Sequence, residues 1–260
     1  QHRYALACLP KETVSTLCIE GVELPKHVLR LLSGALGHSS SRTCFKRVTF
    51  ICNAFESDSL FEVLDCLTFN PLLEEFRLLG SRGLFRDGVG LEDLCDLIED
   101  SPALHTVEID DCCGDDIIGH ELLESGLTHG RDNLKTVDLS TNRIGTGGSN
   151  FLGNFLASNP WLESLSLSGN NLTLEDMNSI AGALRSNTKL RFLRLDGNGD
   201  EAAWQRAREI FQKVEFDTTS LNTASESNHT CFVLDASNWN ETDQQFGSPM
   251  SASAIRQKKL

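Results

Sequence analysis

Apolar and polar residues alternate in short runs that return at a nearly fixed interval. Leu134, Val137 and Leu139 precede Asn142 in the form LxxLxLxxN. Leu162, Leu165, Leu167 and Asn170 repeat it, and so do Leu190, Leu193, Leu195 and Asn198, with starts 28 residues apart. Upstream, Leu104, Val107, Ile109 and Cys112 keep the frame with Cys in the Asn slot. Leu73, Phe76, Leu78 and Ser81 keep it with Ser, and Phe45, Val48, Phe50 and Asn53 keep it fully. Val14, Leu17 and Ile19 fit loosely, with Val22 where Asn would stand. Alternation with a period of two sends side chains to opposite faces of a strand, so each run predicts a short strand with one face buried. The predicted strands cover 47–50, 75–78, 106–109, 136–139, 164–167 and 192–195, parallel and paired in sequence order. The Asn stands where the chain turns, and its amide can satisfy backbone groups left open between neighbouring turns. Asn142 and Asn170 are therefore expected to be buried and hydrogen-bonded. Ser81 and Cys112 are expected to do the same work less well.

Between the strand runs the spacing changes to that of a helix. Leu60, Val63, Leu64 and Leu67 form one apolar stripe, with Ser57 or Asp58 as its N-cap. Further stripes are Leu91, Leu94, Leu97 and Ile98; Ile117, Ile118, Leu122 and Leu123; Phe151, Leu152, Phe155 and Leu156; and Met177, Ile180, Ala181 and Leu184. Asn70-Pro71, Ser101-Pro102 and Asn159-Pro160 end helices and lead into the next strand. Trp204, Ala207, Ile210, Phe211 and Val214 make the inner face of a last helix over 201–214.

Strand, turn and helix repeated in one frame describe an α/β solenoid. On these residues the chain resembles the leucine-rich-repeat family, in particular its long-repeat, ribonuclease-inhibitor-like class, over roughly residues 14–216. The resemblance implies a curved horseshoe with a parallel β-sheet on the concave face and α-helices on the convex face. The expected division is a solenoid of about seven repeats over 1–216, then a degenerate C-terminal cap and polar tail over 217–260. Thr218–Cys231 keeps a strand position without the leucines and is expected to cover the open end of the core.

Charge and cysteine usage narrow the function. The formal net charge is −14, which repels a phosphate backbone, so no nucleic-acid partner is expected. Arg256, Lys258 and Lys259 form a small basic end that reads as a solubilising tail. No run approaches the ~18 uninterrupted apolar residues of a membrane span, so no membrane partner is expected. Nine cysteines without a CxxC pair read as reduced thiols, and the expected location is cytoplasmic. Three sequons, at Asn171, Asn228 and Asn240, matter only in a secreted chain.

Candidate chemistry is sparse. Asp110-Asp111-Cys112-Cys113-Gly-Asp115-Asp116 lacks the spacing of a calcium loop. Cys112 and Cys113 with His105, His120 or His129 do not have the spacing of a zinc module. Gly145-Thr-Gly-Gly148 and Gly197-Asn-Gly199 lack the Lys-Ser/Thr of a phosphate loop and read as turns. No metal, no cofactor and no catalytic residues are expected, and the chain is not expected to be an enzyme.

What remains is a surface. Outward strand positions include Thr106, Glu108 and Asp110; Thr136, Asp138 and Ser140; Ser164, Ser166 and Ser168. The expected partner-binding residues are Glu75, Arg77, Glu108, Asp110, Asp138, Phe192, Arg194 and Asp196. Glu75, Glu108, Asp110 and Asp138 are expected at equivalent positions as one acidic patch flanked by Arg47, Arg77 and Arg194, with Leu79 and Phe192 as exposed apolar positions. This predicts a monomeric protein-interaction module, a scaffold or recognition arm, whose partner is another protein with a basic surface. Two alternatives stand beside it. One is a regulator of a small GTPase, against which the missing long acidic tail counts. The other is the sensor repeat domain of a larger signalling receptor.

Overall fold

Every predicted strand is a strand, because alternate residues of each run are drawn into a core. Val48 and Phe50, Phe76 and Leu78, and Val107 and Ile109 are buried, while the residues between them are part-exposed. The computed structural model describes residues 15–37, 45–55, 60–85, 88, 90–128, 133–215, 228 and 230–234. The Val14, Ser57, Asp58 and His129 readings, and the tail beyond 234, lie outside them.

The chain divides into two compact units, Gln1–Ile144 and Gly145–Leu260. In the first unit the elements run β1 (Thr16–Glu20), β2 (Glu23–Leu24), α1 (Lys26–Gly37), β3 (Arg47–Ile51), β4 (Ala54–Phe55), α2 (Leu60–Thr68), β5 (Glu75–Leu79), α3 (Leu91–Asp100), β6 (Thr106–Asp110), α4 (Asp116–Thr128) and β7 (Thr136–Asp138). Strands β1, β3, β5, β6 and β7 pair in that order, all parallel. A small second sheet pairs β2 with β4. In the second unit follow α5 (Phe151–Ala157), β8 (Ser164–Ser166), α6 (Leu174–Leu184), β9 (Phe192–Arg194), α7 (Glu201–Glu215) and β10 (Phe232–Leu234). There β8, β9 and β10 are parallel neighbours. The strand position expected within Thr218–Cys231 falls mostly outside the described residues; the last strand begins just after it, where Phe232 pairs with Phe192 and Cys231, Phe232 and Val233 are all buried.

The helical stripes are the buried ones with a few corrections. Ile117 is 71% exposed, because α4 turns Ile118, Gly119, Leu122, Leu123, Gly126 and Leu127 inward and Ile117 falls just off that face. Phe151 and Phe155 are only part-buried and stack on each other, 6.1 Å between centroids. Helix α6 starts with a capping box: Thr173 Oγ1 accepts from the Asp176 N–H, and the Thr173 N–H donates to Asp176.

The asparagine slot holds the turns of one repeat to the next. Asn142 is fully buried; its amide donates to the Ile109 and Ser140 carbonyls, and its oxygen accepts from the Cys112 and Cys113 N–H groups. Asn53 and Asn198 bond in the same way, and Asn170 is buried with its amide on the Leu167 and Ser168 carbonyls. Ser81, as expected, does less: its buried hydroxyl has no hydrogen-bond partner. Cys112 also does less, with a single thiol hydrogen where Asn142 satisfies four groups. Its thiol lies 3.4 Å from the Leu78 carbonyl and 3.2 Å from the Asp110 carbonyl, one repeat back from the groups Asn142 bonds.

The residue before that slot is left-handed in each repeat. Gly21, Gly80, Gly169 and Gly197 supply it where glycine is present, and Cys52, Asp111 and Thr141 adopt it with φ of 49°, 53° and 61°. A β-branched residue is strained there. Thr141 is exposed, so Thr141→Gly removes strain without removing packing. The variant is expected to gain ~0.5–1 kcal/mol in urea unfolding.

Candidate functional site

The sheet register decides which outward residues meet. In the first unit Arg47, Glu75, Thr106 and Thr136 form one row across β3, β5, β6 and β7. Arg77, Glu108 and Asp138 form the next, and Leu79 and Asp110 belong to a third. The expected single file of acids is corrected here. Glu75 stands two residues earlier on its strand than the position Glu108 and Asp138 share, so only those two are register partners.

Basic residues thread this surface. Arg47 Nε lies 2.9 Å from Glu75 Oε1, and Arg77 reaches both Glu75 and Glu108 at 3.3 Å. Lys46 pairs with Glu74 at 2.6 Å, and at the adjoining turn Arg82 pairs with Asp111 at 2.6 Å. These pairs were missed in the sequence, yet a signal was there. Lys46/Glu74 and Arg47/Glu75 are both 28 residues apart, and Arg77 and Glu108 hold the same position in adjacent repeats. Reading the aligned repeats column by column for opposite charges finds all three.

Glu108 is the exception to this balance. It shares Arg77 with Glu75 and has Asp138 beside it on β7 and Asp110 on its own strand. Burial, and then these neighbouring carboxylates, push its pKa above the ordinary carboxylate value, although Arg77 pulls the other way. Asp138 accepts from the Ser140 N–H at 2.9 Å and from the Ser140 hydroxyl.

A raised carboxylate pKa means that the folded protein holds the proton more tightly than the unfolded chain. Folding is favoured below the unfolded value, and that advantage is lost as pH rises through the folded value. Glu108→Gln should therefore unfold at a higher temperature than the parent at pH 7, with Glu75 still holding Arg77. The difference should close as pH falls below about 4.5, the ordinary value. Equal melting temperatures at pH 7 would contradict the burden assigned to this carboxylate.

The second unit presents a different surface. Phe192 is part-buried, in register with Ser164 and Phe232. Arg194 clasps Asp196 with Nε–Oδ1 at 2.7 Å and Nη2–Oδ2 at 3.4 Å, so the pair is internally neutralised. Ser166 and Ser168 are buried rather than solvent-facing, as Ser140 is in the first unit. Their hydroxyls bond back into the chain: Ser140 to Asp138, and Ser166 and Ser168 to one another at 3.3 Å. Leu79 and Phe192 are half-buried, not exposed.

The acidic surplus also has a second seat. Helices α2, α3 and α4 carry Glu62, Asp65, Glu92, Asp93, Asp96, Glu99, Asp100, Asp116, Glu121 and Glu124, and no Lys or Arg. Among the described residues no group of three or more His, Cys, Asp or Glu converges as metal ligands. Burial pushes the Cys113 thiol up to about 12 and the Cys112 thiol higher still. No described helix is long and apolar enough to cross a membrane.

Residues 158–181 match a family model described as "Leucine Rich repeat". That stretch runs from the end of α5 through β8 into α6. No curated protein matches the chain. Among solved structures, the crystal structure of an internalin from Listeria monocytogenes is similar at 19% identity with a TM-score of 0.36. The match covers 62% of this chain and 44% of that one, so the chain spans less than half of that protein's length. Parallel strands at the LxxLxL runs, an asparagine or its stand-in at the turns and helices between them make this a leucine-rich-repeat fold.

Proposed function

We propose that the chain is a non-catalytic protein-interaction module that holds the basic surface of another protein on the sheet face of its first unit. The observation that carries this reading is Glu108, flanked by Asp138 and Asp110 and sharing one guanidinium with Glu75. An arrangement that opposes folding and could be relieved by one neutral residue is suited to a charge supplied from outside. A partner Lys or Arg placed over the Glu108–Asp138 pair completes the alternation that Arg47 and Arg77 begin. The acidic balance favours a protein over nucleic acid or a membrane surface, and the module acts as a monomer. The helix in each long repeat is the basis for placing the chain in the ribonuclease-inhibitor-like class.

Three chains serve the test: the parent, the sheet variant Glu108→Lys/Asp110→Lys/Asp138→Lys, and the helix variant Glu92→Lys/Asp96→Lys/Glu99→Lys. Each is used to capture partners from an extract after its fold is confirmed by circular dichroism. Loss of a partner with the sheet variant alone supports the proposal. Loss with the helix variant alone assigns binding to the acidic helices, and unchanged capture by both contradicts any role for these charges.

A further inference from the structure

Asn228-His-Thr230 has the form of a glycan acceptor, yet the structure uses its acceptor nitrogen for something else. Asn228 is buried. Its Nδ2 donates to the Leu184 carbonyl and, at 2.9 Å, to the Asn187 carbonyl. Its Oδ1 accepts from the Thr230 N–H at 2.8 Å and the Cys231 N–H at 2.9 Å. The Thr230 hydroxyl donates to the same oxygen at 2.8 Å. The Asn228 N–H itself donates to the Val214 carbonyl at 2.7 Å. This one side chain therefore ties the end of α6 and the segment after it to the approach of β10.

Asn228 is also not a solitary case. Asn187 donates to the Leu156 carbonyl and accepts from the Lys189 and Leu190 N–H groups. In the first unit Asn70 donates to the Phe45 carbonyl and accepts from the Leu72 N–H. Asn70 and Asn187 stand three residues before Leu73 and Leu190, and Asn228 stands three before Cys231. They form a second asparagine row, at the helix-to-strand turn.

We infer that N-glycosylation of Asn228 and closure of the second unit's last repeat exclude one another, so that the folded protein carries Asn228 unmodified wherever it is made. In that modification a sugar C1 forms a bond to Nδ2, one Nδ2 hydrogen is lost as a proton, and a lipid diphosphate leaves. Both Nδ2 hydrogens are already donated to main-chain carbonyls, and a buried site has no room for the sugar. Asn171, the other described sequon, is exposed.

The test compares the whole chain made in a bacterial cytosol with the same chain sent through the secretory lumen of cultured cells by an added signal peptide. Mass spectrometry assigns the glycans, and hydrogen exchange reads the amides of 232–234. In the cytosolic chain these amides should be protected. In molecules with a glycan on Asn228 they should exchange at least ~100-fold faster, since the ties to β10 are broken. A folded lumenal chain glycosylated on Asn171 and never on Asn228 would show the same exclusion, with folding closing first. A chain glycosylated on Asn228 whose 232–234 amides keep the cytosolic protection would overturn the inference.

Discussion

Asn142→Ala is expected to destabilise the first unit by ~3–5 kcal/mol, the largest loss predicted for a single residue. Asn142 has no exposed surface and satisfies four main-chain groups: the Ile109 and Ser140 carbonyls and the Cys112 and Cys113 N–H groups. Alanine removes all four partners and leaves a cavity too enclosed for the polar groups to find bulk water. Each buried unpaired group costs ~1–3 kcal/mol, and partial relaxation keeps the total below the sum. Urea unfolding measures the loss. Asn142→Asp separates the two halves of the effect, because the acid keeps an acceptor for the two N–H groups but cannot donate when ionised. It should fall between parent and alanine at low pH and near alanine at neutral pH. An alanine variant that unfolds with the parent would refute the ladder.

Gly119→Ala should cost ~2–3 kcal/mol, opposite in sign to the usual effect of alanine in a helix. Gly119 lies inside α4, where glycine is ordinarily a weakness of ~1 kcal/mol relative to alanine. A Cβ there would stand 2.5 Å from the Asn142 carbonyl oxygen and 3.2 Å from the Arg143 carbonyl carbon and the Ile144 nitrogen. All three are main chain, so no side-chain rotation relieves the contact. The helix would have to move away from the turn that Asn142 organises. Gly182→Ala is the control, an exposed glycine within α6 with nothing within 4 Å, and it should stabilise. A Gly119 variant more stable than the parent would show that α4 does not pack this closely.

Strands and core were legible in the sequence because both depend on periodicity, which a single chain displays. Val48, Phe76, Val107 and Val137 are buried for the reason that made them recognisable. The pairs that shape the candidate site were less legible. Whether Arg77 meets Glu108 or Asp110 depends on a register that the individual run does not state, and a shift of two residues changes which acids are neighbours. Glu75 was misplaced although the aligned repeats already set it beside Thr106 and Thr136, two residues before the column of Glu108 and Asp138. The buried serines escaped for another reason: an outward strand position was equated with exposure, although a short hydroxyl side chain can bond back to its own strand, as Ser140 does to Asp138. Cys112 was legible as a weaker stand-in for asparagine, since its one thiol hydrogen is shared between two carbonyls. The second asparagine row went unnoticed since Asn70-Pro71 and Asn159-Pro160 already had an explanation as helix stops. Its column of Asn70, Asn159, Asn187 and Asn228 appears once the repeats are aligned on the residue three before each strand run.

The most direct measurement is the association rate of a captured partner with the parent and with Glu108→Lys/Asp110→Lys/Asp138→Lys, followed over a range of ionic strength. If the sheet face of the first unit meets a basic surface, the parent should bind fastest at low salt and slow steeply as salt rises. The triple variant should keep its fold, bind at least ~10-fold more slowly at low salt, and lose most of the salt dependence. A folded variant whose rate and salt dependence match the parent's would contradict the account.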